Sequence, residues 1–266
     1  MSRQPAVAGQ FYAGTTLGLR NQVLQYLQPG PSEAAIGIVS PHAGLIYSGP
    51  VAGEVYSAIK APETFVLIGP NHRGIGEPIA LYGGGEWAIP TGTFPVDQKL
   101  GQLILERTPL VALDESAHRM EHSLEVQLPF IAEIARESKI LPISIMHASL
   151  SVCRAVGEAL AAAIRQCGYS VTIVASTDMS HYVSADTARK LDGKAIDRIL
   201  VLDPEGLYAT VHEYRISMCG VYPTTIMLYA AKELGARHVR LVRYATSGEV
   251  SGDYDQVVGY AGLVIT

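Results

Sequence analysis

Cysteine is scarce in this chain of 266 residues, with Cys153, Cys167 and Cys219 the whole complement. An odd total without a C-x-x-C spacing argues against a disulfide framework and against a structural zinc knuckle. Long apolar runs are missing too. Stretches such as Ala159-Leu160-Ala161-Ala162-Ala163-Ile164 fall far short of a bilayer span, and Met1-Ser2-Arg3-Gln4-Pro5 has no apolar signal core, so a soluble, cytoplasmic protein without membrane contact is expected. Basic excess is absent as well. Twenty Lys+Arg against 25 Asp+Glu give a net charge of -5, which leaves no stripe for a phosphate backbone and argues against nucleic acid as a partner. The signatures G-x-x-x-x-G-K-[ST], G-x-G-x-x-G after a strand, H-E-x-x-H and G-x-S-x-G do not occur, which removes the common NTPase, dinucleotide, zincin and α/β-hydrolase readings.

What is present begins with Ile36-Gly37-Ile38-Val39-Ser40-Pro41-His42, an apolar run without polar alternation that stops at proline and then shows a histidine. Such a run suits a strand covered on both faces, and proline ends it because it has no N–H for the ladder. The run Thr64-Phe65-Val66-Leu67-Ile68-Gly69-Pro70-Asn71-His72 repeats the pattern. In open α/β sheets ligands bind beyond the carboxyl ends of the strands, so if these two strands lie side by side, His42 and His72 converge.

Further along, helical periodicity over Leu17–Leu27, Val51–Lys60, Val152–Cys167, Ala185–Leu202 and Pro204–Tyr214 alternates with apolar strands at Lys139–Met146 and Ser170–Ala175. A further helix opens near Pro223 and ends at Gly235, and strands at Val239–Tyr244 and Val257–Ile265 close the chain. Arg73–Val96, rich in Gly and Pro and holding the single Trp87, reads as a long excursion with short antiparallel strands near the mouth of a site. Asp97 caps a helix to about Glu106, and a helix from about Ser123 to Glu137 carries Pro129 as a potential kink. The expectation is an α/β fold in one αβα domain spanning 1–266, with a mostly parallel central sheet.

Chemistry-bearing residues gather at strand-to-loop junctions. His42 and His72 are candidate metal ligands, and a pair of imidazoles needs a third, for which Asp178, Glu121 and Cys219 are candidates. Asp178 and His181 follow one strand, three residues apart, and can face one cavity; alternatively Asp178 caps the turn after its strand. Glu121 suits a supporting or capping role, with His122 the better placed to reach the pocket. Tyr12, Tyr47 and Trp87 either line the cleft or form small satellite cores. His118, His147, His212 and His238 read as surface or packing residues.

Taken in order, Pro5-Ala6-Val7-Ala8-Gly9-Gln10-Phe11-Tyr12, Pro41-His42-Ala43-Gly44, Gly69-Pro70-Asn71-His72, Glu121-His122-Ser123-Leu124-Glu125, Ser176-Thr177-Asp178-Met179-Ser180-His181 and Cys219-Gly220 resemble the Memo family. Its bacterial and archaeal members are known as AmmeMemoRadiSam system protein B. The resemblance covers nearly the whole chain and implies a fold similar to class III extradiol dioxygenases. Carried over, the metal ligands fall on His42, His72 and Cys219, and further pocket residues on Asp178 and His181. The related dioxygenases hold Fe(II) with two histidines and a carboxylate; here a cysteine stands in that place. One transition-metal ion is therefore implied, with iron or copper favoured and zinc an alternative, because a thiolate is a softer ligand than a carboxylate. His181 then becomes the candidate general acid/base and Asp178 its orienting partner or a substrate contact. Two readings stand beside each other. One is a mononuclear metal-dependent oxidoreductase, dioxygenase-like, acting on an unidentified small molecule or peptide. The other is a non-catalytic metal-, peptide- or small-ligand-binding protein or redox protein on the same fold. A metal-independent Cys219 nucleophile is a third, weaker reading. The family name also implies radical-SAM system partners.

Overall fold

The computed structural model describes residues 2–266. Strand β1 (Ser2–Arg3) and helix α1 (Thr16–Leu24) precede β2 (Gly37–Ser40), α2 (Leu45–Ser57) and β3 (Thr64–Pro70). Next come β4 (Ile79–Leu81), β5 (Glu86–Ile89), β6 (Gly92–Pro95), α3 (Gln98–Leu105), β7 (Ala112–Leu113), α4 (Leu128–Ile134) and β8 (Lys139–Ile145). The remainder is α5 (Leu150–Cys167), β9 (Val171–Ser176), β10 (His181–Val183), α6 (Ala185–Leu200), α7 (Pro204–Glu213), α8 (Val221–Glu233), β11 (Val239–Thr246), α9 (Gly248–Ser251) and β12 (Val257–Ile265).

Nine of these strands form one mixed sheet in the order β10-β12-β2-β9-β3-β8-β4-β7, with β11 paired to β12. Its centre, β2-β9-β3-β8, is parallel, while β12 against β2 and β4 against β8 run antiparallel. The fully buried runs of β2 and β3 explain the centre, since βαβ crossovers cover both faces with helices. Helices α1, α2 and α4 pack together, and α3, α5, α6, α7 and α8 form a second connected group. One apolar core reaches from Val7 to Ile265. Among the described residues no helix is long and apolar enough to cross a membrane.

Three expectations need correction. The strands of His42 and His72 are not neighbours: β9 lies between them, and all three point their carboxyl ends the same way. Helix α2 begins at Leu45 rather than Val51, and Pro50 lies inside it; the Ser48 hydroxyl donates to the Ala43 carbonyl and so secures the entry turn. The helix expected from Ser123 is shorter. A 3-10 turn over Glu125–Gln127 precedes α4, and Pro129 stands at the helix start, where its missing N–H costs nothing.

Of the two places open to Trp87, the structure gives the satellite core and not the pocket. The β5–β6 hairpin pairs with β1 as a separate three-stranded sheet, and the indole is 1% exposed, with the Arg3 guanidinium 4.0 Å over its ring. The rings of Tyr82 and His118 meet it edge-on, so Trp87 belongs to a satellite core instead of the cleft.

Candidate metal centre

The parallel ends of β2, β9 and β3 deliver the site. Ser40 is in register with Ser176, and Ile68 with Ala175, so the loops starting at Pro41, Thr177 and Asn71 leave the sheet at one level. Pro41-His42 and Asn71-His72 therefore meet across β9. Their rings lie 5.3 Å apart, and the loop Glu121–Ser123 adds His122, whose ring is 5.6 Å from His42 and 4.7 Å from His72. One ring nitrogen from each of His42, His72 and His122 lies within 4.8 Å of the others. Such a group could hold a metal ion, since neutral imidazole nitrogens are common ligands for transition metals.

Each imidazole has a distinct support. The Glu121 carboxylate accepts from the backbone N–H of His72 (2.6 Å), from its Nδ1 (2.9 Å), and from the amides of His122 and Ser123 (3.0 and 2.9 Å). Burial alone would raise this carboxyl, but the hydrogen bonds and charge of His72 and the loop amides hold it at about 2. Because a carboxylate cannot donate, Nδ1 of His72 carries a proton, and in the neutral ring that binds a metal the lone pair is on Nε2. His122 Nδ1 is 3.3 Å from the same carboxylate without the alignment of a hydrogen bond, and it has no other partner. His42 is buried, with Nδ1 2.9 Å from the Ser176 hydroxyl and Nε2 3.3 Å from Cys219 Sγ.

The electrostatics favour a cation over protons. Burial, followed by the neighbouring His72 and His122, pushes His42 well below the usual histidine range. Burial likewise lowers His122 to about 4, despite the opposing charge of Glu121. Bases that suppress one another's protonation while sharing a small space suit one ion bound by several lone pairs.

Cys219 reaches the centre through His42. Its sulfur also accepts from the Asp178 amide at 3.2 Å. Burial, then the Asp178 charge, pushes this thiol up, which favours the S–H form, with His42 Nε2 at 3.3 Å and the Asp178 carbonyl oxygen at 3.6 Å as acceptors within reach. Gly220 makes that approach feasible: a Cβ there would lie 2.4 Å from Thr177 Cβ and 2.6 Å from the Ser176 carbonyl oxygen.

Asp178 and His181 both flank the centre but do not engage each other by hydrogen bond. Asp178 Oδ1 accepts from the His42 amide at 2.8 Å, so the carboxylate secures the loop that carries His42. The His181 amide donates to Ser217 Oγ at 2.7 Å, and its Nδ1 donates to the Ser217 carbonyl at 2.8 Å, which leaves Nε2 as an acceptor. Tyr47 is exposed on the first turn of α2, near His42 in sequence. Tyr12 is buried and its hydroxyl donates to Glu125 at 2.6 Å, which removes it from the cleft wall. His118 is buried packing, whereas His147, His212 and His238 are exposed.

Sequence reasoning singled out the motif that holds Glu125 but gave this residue no task; it anchors the N-terminal segment under the histidine loop. Its carboxylate takes Arg3 Nη1 at 2.7 Å and the amides of Ala6 and Val7 at 2.8 and 3.1 Å. Arg3 in turn donates to the carbonyls of His118 and Glu121 at 2.8 and 2.7 Å, and the Phe11 ring packs 4.6 Å from that of His122. The motif from Pro5 to Tyr12 is thus a brace for the Glu121–Glu125 loop. Its one advance signal was an acidic residue in an otherwise apolar stretch, Leu124-Glu125-Val126.

Comparison with known proteins places the chain in a family. The Memo family model, described as Memo-like protein, matches residues 3–264. A MEMO1 family protein of Aquifex aeolicus is 44% identical over 98% of this chain and 98% of its own length. Another, of Methanopyrus kandleri, is 40% identical over 99% of both chains. Among solved structures, an uncharacterised protein of Escherichia coli K12 shares the fold at 13% identity, with a TM-score of 0.57 over 86% of this chain and 98% of that one. With the family model matched over residues 3–264 and relatives at 40% and 44% identity over almost every residue, this chain belongs to the Memo family.

Proposed function

We propose that this protein binds one transition-metal ion on His42 and His72, with a third ligand from His122 or Cys219, and acts as an oxidoreductase on a small molecule. The observation that carries the reading is the convergence of three ring nitrogens within 4.8 Å at the carboxyl ends of parallel strands. A donor set of imidazoles with one thiol nearby favours iron or copper, with zinc the alternative. When bound, iron or copper would supply a Lewis-acidic and redox-active centre, and zinc a Lewis acid alone.

The chain's own groups have definable tasks in this reading. Glu121 orients His72 and increases its basicity through Nδ1, and Asp178 holds the His42 loop by its backbone. His181, fixed by Ser217, presents an acceptor Nε2 that can take a proton from a substrate hydroxyl and return it. The partners implied by the family resemblance, a radical-SAM protein among them, and a cytoplasmic location belong to this proposal as well.

A second reading has its own support. Both carboxylates at the centre are committed, Glu121 to His72 and the loop amides, Asp178 to the His42 amide. The converging group consists of three imidazoles and no carboxylate, unlike a two-histidine-one-carboxylate centre, which favours metal or ligand binding without dioxygenase turnover. Oxygen uptake by protein loaded anaerobically with Fe(II) or Cu(I), over a panel of catechols, separates the two. Uptake that depends on the loaded metal and falls in His181→Ala supports the oxidoreductase; metal retention with no uptake across the panel supports the binding protein.

A further inference from the structure

Beneath His42 lies a buried chain of hydrogen bonds whose directions can be read without seeing a single hydrogen. The Pro41 carbonyl oxygen can only accept, so the Gln127 group 3.0 Å from it is the amide nitrogen. That choice agrees with the other end of the side chain, where Gln127 Oε1 accepts from the Tyr56 hydroxyl at 3.0 Å. The same Gln127 Nε2 is 2.8 Å from Ser176 Oγ and donates to it. The Ser176 hydroxyl has one proton, and the Ser123 carbonyl oxygen, 2.7 Å away, is an acceptor only and takes that proton. One lone pair on Ser176 Oγ remains, aimed at His42 Nδ1 at 2.9 Å. His42 must therefore be the donor there.

We propose that Ser176 is a positioning residue that holds His42 in the Nδ1–H tautomer and so turns the Nε2 lone pair toward the centre. Ser176 is fully buried at the end of β9, the strand inserted between those that carry His42 and His72. Its backbone sets the spacing of the two loops, and its hydroxyl selects which nitrogen of His42 is free. Gln127 and Tyr56, both fully buried, keep that hydroxyl from turning its proton toward the ring.

The arrangement makes the two histidines unequal. His72 is backed by an ionised carboxylate, whereas His42 is backed by a neutral hydroxyl. A carboxylate accepting Nδ1–H pushes more electron density into the ring than a hydroxyl does, so His72 is the stronger donor. His42 is the softer attachment and the one that touches Cys219. This inference deepens the metal-binding reading and rests on that reading only for its consequence, because the tautomer is a property of the metal-free protein.

The test is nitrogen NMR of the ring in metal-free protein labelled with 15N-histidine, with His42 assigned by comparison with His42→Asn, and with metal content measured in parallel. The wild type is expected to carry the His42 proton on Nδ1. In Ser176→Ala the proton should shift wholly or partly to Nε2, and affinity for Fe(II) or Zn(II) should drop by about ten- to a hundredfold. Ser176→Ala that folds and keeps the Nδ1–H tautomer overturns the proposal, because a merely structural serine would alter stability without moving that proton. If Ser176→Ala fails to fold, the wild type alone decides: a proton on Nε2 of His42 overturns the assignment. A wild type with Nδ1–H that binds no metal supports the positioning role and contradicts the metal-binding reading.

Discussion

His42 Nε2 and Cys219 Sγ meet at 3.3 Å, residues that stand 177 positions apart and leave different loops of the fold. In that contact the sulfur is a protonated thiol, since burial and the Asp178 charge both oppose its ionisation. A metal that took both atoms as ligands would have to displace the S–H proton. Loading the apoprotein at pH 7 in weak buffer is expected to release about one proton per ion more in the wild type than in Cys219→Ala. Equal release from the two proteins would place the third ligand on His122. The same chemistry makes Cys219 a sluggish nucleophile in the metal-free state, so alkylation by iodoacetamide at neutral pH should be slow; rapid labelling would revive the thiol-nucleophile reading.

His118 predicts an acid sensitivity. Burial lowers it to about 4, while an unfolded chain would titrate near 6.5. The native state therefore binds fewer protons than the unfolded state between those values, and stability falls as pH drops through that window and is unaffected by this group above it. His42 and His122, also depressed by burial, act in the same direction. His118→Phe loses the hydrogen bond to the Ala80 carbonyl and should cost about 1 kcal/mol at pH 7.5, yet its stability should decline less steeply from pH 6.5 to 4. Parallel pH profiles for the two proteins, by urea denaturation, would contradict this.

Glu125 and Arg3 form an ion pair with side chains 0% and 4% exposed, inside a network that includes Tyr12 and the amides of Ala6 and Val7. Removing one partner strands the other's charge. Glu125→Ala should destabilise by roughly 3–5 kcal/mol in denaturant titration. Arg3→Ala should cost a comparable amount, and the double variant less than the sum, because the second change no longer strands a charge. Strict additivity would mean that the N-terminal brace is held by packing alone.

Gly220 carries a steric prediction. A methyl group at this position would strike the backbone of Ser176 and the side chain of Thr177, neither of which is the free end of a flexible chain. Gly220→Ala should destabilise by about 1–3 kcal/mol and weaken any Cys219-dependent metal binding, since the segment must move away from β9. Unchanged stability and metal retention would show that this segment can shift without loss.

Much of the centre was legible because strands covered on both faces announce themselves. The apolar run of β2 stops just before Pro41, that of β3 runs through Pro70 as its last residue, and the histidines just beyond these prolines do line one site. What a linear reading could not supply was strand order: β9 enters between β2 and β3 from a hundred residues downstream, and nothing in those three segments specifies which neighbours pair. The place of Trp87 was left open for a related reason, since a glycine-rich excursion gives no sign of whether its aromatic residue turns outward or is covered by an arginine from β1. Glu125 and Ser176 were overlooked as site residues because their significance lies in what they bond to. An acidic residue beside Leu124 and a serine at a strand end have many ordinary uses until the partners are visible.

Elemental analysis of anaerobically prepared protein is the most direct test of the central claim. The wild type, His42→Ala, His72→Ala, His122→Ala and Cys219→Ala are each incubated with Fe(II), Cu(I) or Zn(II) and desalted. The account predicts about one tightly held ion in the wild type, its loss in His42→Ala and His72→Ala, and its loss or weakening in whichever of the other two supplies the third ligand. A wild type that retains no metal under any of these conditions, or that retains it undiminished without His42 and His72, would contradict the account.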